Sequence, residues 1–102
     1  METKENFETT IRLSFQRAMR GEIRPSMRLI TVGWNENLTE LHVIAYFDKE
    51  VTDEENESVN NITAEVFADI DFESEKINCV YDADRPLGQL EILKFIAFAR
   101  KE

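Results

Sequence analysis

The tetrapeptide Thr52-Asp53-Glu54-Glu55 sets a hydroxyl and a carboxylate three residues apart at the head of an apolar-periodic stretch. That is a capping box: the Thr52 side chain accepts from the N3 amide, and the Glu55 side chain reaches back to the Thr52 amide. Behind it, Val59, Ile62, Val66 and Ile70 recur at spacings of 3, 4 and 4, with Phe67 beside them. The spacing predicts a helix from this box to about Asp69, with one apolar stripe that needs a surface to bury it. Acidic groups in its first turn favour the helix dipole.

The flanking segments supply that surface. Phe7, Ile11, Phe15 and Ala18 predict a first helix over residues 4–20, flanked by Leu13 and Met19 and ended by Gly21. Arg17 and Arg20 suit its last turn, and Pro25 confirms that it has ended. Residues 27–34 (MRLITVGW) and 39–47 (TELHVIAYF) read as two strands around the turn 35–38, forming an antiparallel hairpin. In the second strand Leu41, Val43, Ala45 and Phe47 alternate with Glu40, His42, Ile44 and Tyr46. Residues 75–82 read as a third strand, with Ile77, Cys79 and Tyr81 on one face. A loop follows at Asp84-Arg85-Pro86-Leu87-Gly88. Residues 90–99 are apolar on both faces, which suits either a doubly covered strand or a helix. The order α-β-β-α-β-β predicts an α+β fold: a four-stranded, mainly antiparallel sheet with two helices packed on one face. Strand order does not follow from the pattern.

With 102 residues, 42% of them hydrophobic, the chain suits one domain with a real core. A lone cysteine excludes an intramolecular disulfide and favours a reducing compartment. The charged start shows no secretory signal, and no run reaches the roughly 20 apolar residues of a membrane span. The chain is therefore expected to be cytoplasmic.

Catalytic chemistry finds little support. His42, the single histidine, falls mid-strand with no nucleophile in register, and reads as a surface or half-buried strand residue. Cys79 lies in an apolar strand and reads as core packing. Asp69-Ile70-Asp71-Phe72-Glu73 lacks the glycine and distal glutamate of a calcium loop. The three Asn-x-Ser/Thr matches are chance matches without a secretory route. There is no Gly-rich phosphate loop, and no cofactor or metal is expected.

What stands out is charge. The formal net charge of −9 repels nucleic acid and anionic membranes and attracts a basic partner. Asp48, Glu50, Asp53, Glu54, Glu55 and Glu57 crowd the start of the second helix; Glu65, Asp69, Asp71, Glu73 and Glu75 follow at its far end. Trp34 and Tyr46 lie near hairpin ends, where an aromatic can anchor an interface. Asp48, Glu50, Asp53, Glu54, Glu55, Glu57, Glu65, Asp69, Asp71 and Trp34 are the candidate partner-binding residues. For Trp34, ordinary hairpin packing is the stronger reading.

Several runs resemble a family of small bacterial proteins. They are Arg17-Ala18-Met19-Arg20-Gly21-Glu22-Ile23 with Pro25 and Arg28, and Tyr46-Phe47-Asp48-Lys49-Glu50-Val51 leading into the capping box. Thr63-Ala64-Glu65-Val66-Phe67-Ala68-Asp69 and the final Arg100-Lys101-Glu102 complete the pattern. The family is similar to immunity proteins of bacterial polymorphic toxins, including those of contact-dependent growth inhibition. The resemblance implies a cytoplasmic, non-enzymatic inhibitor that binds a basic toxin domain, in many cases a nuclease, as a monomer in the complex. It assigns no functional residue. The alternative is a homodimeric regulatory or ligand-binding domain without catalytic activity, marked by an apolar pocket or an exposed strand such as 90–99. A carboxylate and His42 hydrolase or isomerase ranks last.

Overall fold

The structure is a computed structural model that describes residues 4–102, with side chains from Asn6 onward. Helix α1 spans Lys4–Ala18, strand β1 Met27–Trp34, strand β2 Glu40–Phe47, helix α2 Asp53–Asp69 and strand β3 Ser74–Tyr81. A 3-10 turn at Leu87–Gln89 precedes strand β4, Phe95–Ala99. The element order is the expected α-β-β-α-β-β. The sheet runs β3-β2-β1-β4. β1 pairs antiparallel with β2 and β4, while β2 and β3 pair in parallel through the α2 crossover. The sheet is mainly antiparallel, as expected, with one parallel pair, because a helix carries the chain back along the sheet before β3 begins.

One sheet face holds the main core. Ile11, Phe15 and Ala18 of α1 and Val59, Ile62 and Val66 of α2 bury against Ile30 and Val32 of β1 and the inward set Leu41, Val43, Ala45 and Phe47 of β2. Both helices therefore share one face. Burying a side chain of this size contributes about 1.5–3 kcal/mol, so these positions carry most of the stability. α1 ends at Ala18, and Gly21 then takes φ of 76°, the left-handed turn that its lack of Cβ permits.

The opposite face is covered by the β3–β4 connection. Leu90 buries there against Leu29, Ile44 and Tyr46, with Leu87 and Leu93 packed alongside. The Tyr46 hydroxyl donates to the Glu91 carbonyl at 3.1 Å. The Thr31 hydroxyl donates to the Phe95 carbonyl at 2.8 Å and accepts from the Leu93 amide at 2.9 Å. A Cβ on Gly33 would sit 3.0 Å from the Leu93 Cβ, so the connection crosses where the strand has no side chain.

This settles residues 90–99. Only Phe95–Ala99 is strand; the leucines before it are apolar because they line the second face, which an alternation argument cannot separate from a longer strand. Ile77, Cys79 and Tyr81 share one face, as expected, and Ile77 and Cys79 pack against the core. Tyr81 does not share the burial of its face and is 59% exposed, since β3 is an edge strand. Cys79 is half-buried at the rim of the core, with its thiol donating to Asn56 Oδ1 at 3.2 Å. Burial pushes that thiol's pKa up, away from reactivity.

At one end of the sheet a charged network closes the fold. Arg28 is 4% exposed and lies in a strand that otherwise reads as apolar. Its guanidinium donates to Glu102 Oε1 and Oε2 at 2.7 and 2.8 Å and to the Asp82 carbonyl at 2.7 Å. Arg100 donates to Asp48 Oδ2 at 2.6 Å and Glu102 Oε2 at 3.1 Å. Hydrogen bonds from Arg28, and then Arg100, hold the Glu102 carboxyl at about 2. A depressed carboxyl pKa stabilises the fold above the unfolded value and loses that contribution as pH falls toward about 2. The urea midpoint of the native chain should therefore exceed that of Glu102→Gln at neutral pH. The two should converge as pH is lowered toward about 2. A constant gap across the acid limb would contradict the assignment.

Candidate functional site

The charge of the chain is not spread evenly along it. From Glu50 to Glu75 there are ten carboxylates and no lysine, arginine or histidine. The remaining residues hold twelve basic against eleven acidic side chains and are close to neutral. The whole net charge of −9 thus belongs to α2 and its flanks.

The capping box forms as expected. Thr52 Oγ1 accepts from the Glu55 amide at 3.1 Å, and Glu55 Oε1 accepts from the Thr52 amide at 2.9 Å. Seventeen residues of helix span about 25 Å, so the two acidic groups stand well apart. At the first turn Glu50, Asp53, Glu54 and Glu57 are exposed. At the far end Glu65, Asp69, Asp71, Glu73 and Glu75 are exposed too. The last turn of α2 has no basic residue of its own, although a cation there would suit the dipole. α1 supplies one: Arg17 lies 3.4 Å from Asp69 Oδ2, which also accepts from the Ser14 hydroxyl at 2.8 Å.

Four of the candidate residues are engaged within the fold. Glu55 is turned inward, 7% exposed, and accepts from the Ser26 hydroxyl as well as from Thr52. Burial alone would raise its pKa, and the hydrogen bonds from Ser26 and Thr52 reverse this, leaving it lowered. Glu55 is a fold residue, and the surface reading of it is corrected: N3 of this helix faces β1's entry, where Ser26 waits. Asp48 is tied to Arg100, and Asp69 to Arg17 and Ser14. Trp34 is half-buried between Phe7 at 5.4 Å and Phe95 at 6.1 Å, with Lys94 Nζ 5.3 Å from its ring. Phe7 also meets Phe72 at 6.0 Å, which places Trp34 at the end of the molecule that holds the second acidic group. The outward carboxylates are thus Glu50, Asp53, Glu54 and Glu57 at one end and Glu65, Asp71, Glu73 and Glu75 at the other.

His42 lies on the face away from the helices. Its Nε2 is 2.6 Å from Glu40 Oε1, while the Ser74 hydroxyl donates to Glu40 Oε2 at 3.1 Å. The hydroxyl thus meets the carboxylate and not the imidazole, the reverse of what a base-activated nucleophile needs. The hydrogen bond with His42 lowers the Glu40 pKa. Among the described residues no group of three His, Cys, Asp or Glu side chains could hold a metal ion, and no helix is long and apolar enough to cross a membrane. An open cleft lined by Phe7, Glu8, Trp34, Asn35, Glu36 and Lys94 runs along the β1–β2 turn.

Arg28, Arg100 and Glu102 were not among the sequence candidates. The signal for Arg28 was an arginine inside a run of apolar strand residues, which demands a buried partner. A search of curated proteins finds no match. Residues 8–102 match the family model described as MafI2 immunity protein, and a match of that extent makes the chain a member of this family.

Proposed function

We propose that this chain neutralises a cognate toxin domain by laying the acid-rich surface of α2 over a basic face of that domain. The observation that supports this most is the segregation of charge: ten carboxylates without a cation from Glu50 to Glu75, on a chain otherwise near neutral. A nuclease fits such a surface, because a site that grips a polyanion is itself basic. The acidic field steers encounter and raises the association rate, and charges desolvated at the centre of the interface set specificity. The inhibition is steric and electrostatic, carried out by one copy of the chain in the cytoplasm of the cell that makes it, and no reaction is catalysed. An interface of this type buries roughly 1,200–2,000 Å² in total.

The test reverses Glu54 and Glu57 to lysine together. Both are exposed, so the fold should stay within about 1–2 kcal/mol of the native chain, the loss coming from the helix dipole. Binding to the C-terminal domain of the cognate toxin should weaken on the order of tenfold or more, mainly through a slower association rate that flattens with salt. Surface plasmon resonance at low and high salt reads both. Unchanged association in a folded double variant would remove the α2 surface from the interface.

A further inference from the structure

The two edges of the sheet differ. β4 has five residues, and its register with β1 is interrupted between Ile30 and Thr31. β3 has eight residues and pairs one to one with β2, from Ser74 with Glu40 to Tyr81 with Phe47, without a shift. Shortness, bulges and prolines are the usual protections of an exposed edge. β4 has the first two, and β3 has none of them.

The parity of β3 follows from its register with β2 and from its finish, where the Asp82 amide donates to the Phe47 carbonyl at 2.9 Å. At its start the Thr39 carbonyl accepts from both the Glu73 amide at 2.7 Å and the Ser74 amide at 3.2 Å. Even-numbered residues therefore bond to β2. Alternation turns the amides and carbonyls of Glu75, Ile77, Cys79 and Tyr81 to the other side, where no described strand pairs. The one cation of the strand, Lys76, is drawn to Glu40 at 3.6 Å. Carboxylates bound the edge at both ends. Glu73 and Glu75 lie at its start, and the first turns of α2 adjoin its finish, where Cys79 meets Asn56.

We propose that β3 receives an extended, lysine- or arginine-rich segment of the toxin domain as a fifth strand. This deepens the acidic-surface reading and rests on it. Main-chain pairing along the four outward residues would supply affinity, and the carboxylates at the two ends would select basic side chains.

Amide hydrogen exchange in the complex tests the pairing directly, with the C-terminal domain of the cognate toxin as the probe. The amides of Glu75, Ile77, Cys79 and Tyr81 should slow at least tenfold on saturation, and those of β4 should not change. Tyr81→Pro removes one outward amide and no bond to β2, a change an edge strand tolerates. It should weaken binding about tenfold while the melting transition is retained; if the variant fails to fold, the exchange data decide alone. Free-state exchange at the four amides in a saturated complex overturns strand addition. Should the Glu54→Lys, Glu57→Lys chain still lose affinity in that case, the acidic surface stands without it. Protection that arises in this chain alone at raised concentration would assign the edge to a second copy, and also overturns the proposal.

Discussion

Glu55→Lys is expected to destabilise the fold by about 4 kcal/mol, the largest single effect among the acidic residues. Three losses combine. The Glu55 half of the capping box disappears and the Thr52 amide loses its acceptor, at about 1 kcal/mol. The buried Ser26 hydroxyl loses its acceptor, at roughly 1–3 kcal/mol. An unpaired ammonium is then forced into a site only 7% exposed, which adds more unless the side chain escapes to solvent. In a domain of this size the melting temperature should fall on the order of 20 °C. Glu54→Lys, one residue away and exposed, should change it by only a few degrees. Circular dichroism melts of the two variants check this. Equal melting temperatures would mean that Glu55 does not hold the turn it is seen to hold. Where the expected drop is seen, binding lost by Glu55→Lys follows from the destabilised fold and says nothing of an interface.

Arg28→Ala should cost about 3 kcal/mol. Its guanidinium is the buried member of the network, and removing it leaves the Asp82 carbonyl without that donor and Glu102 with Arg100 alone. The alkyl stem is also lost from a strand that is otherwise buried along its length. Arg28→Lys keeps the charge but cannot make the forked contact, so an intermediate loss is expected. Urea unfolding of the three chains should rank native, Arg28→Lys, Arg28→Ala. If alanine proves neutral, the network is an ornament of the surface and not a closure of the sheet.

What could be read in advance follows from range. α2 was legible because its cap and its stripe lie within a few residues of one another. The β1–β2 hairpin was legible for the same reason, and the alternation of Leu41, Val43, Ala45 and Phe47 matched the core face. The parallel pairing of β2 with β3 was not, because it depends on where α2 sets the chain down. Nor was the role of Leu90 and Leu93: an apolar run says that both sides are covered, not by what. The acidic segment was visible as composition, but the direction of each side chain was not. Glu55 shows the gap most clearly. The capping box already named its internal partner, and the count of carboxylates still placed it on the surface. Arg28 and Glu102 are 74 positions apart, and nothing local joins them.

Crowding ten like charges onto one helix and its borders sets the isolated molecule against itself. Ions in the medium relieve that internal strain and at the same time mask the attraction felt by an approaching cationic surface. Under the proposed mode of binding, ionic strength thus pulls two properties in opposite directions: the solitary chain should become sturdier as its grip on an oppositely charged protein loosens. In the proposed complex, capture would supply the counter-charges that the bare helix lacks and complete the electrostatics that folding leaves open.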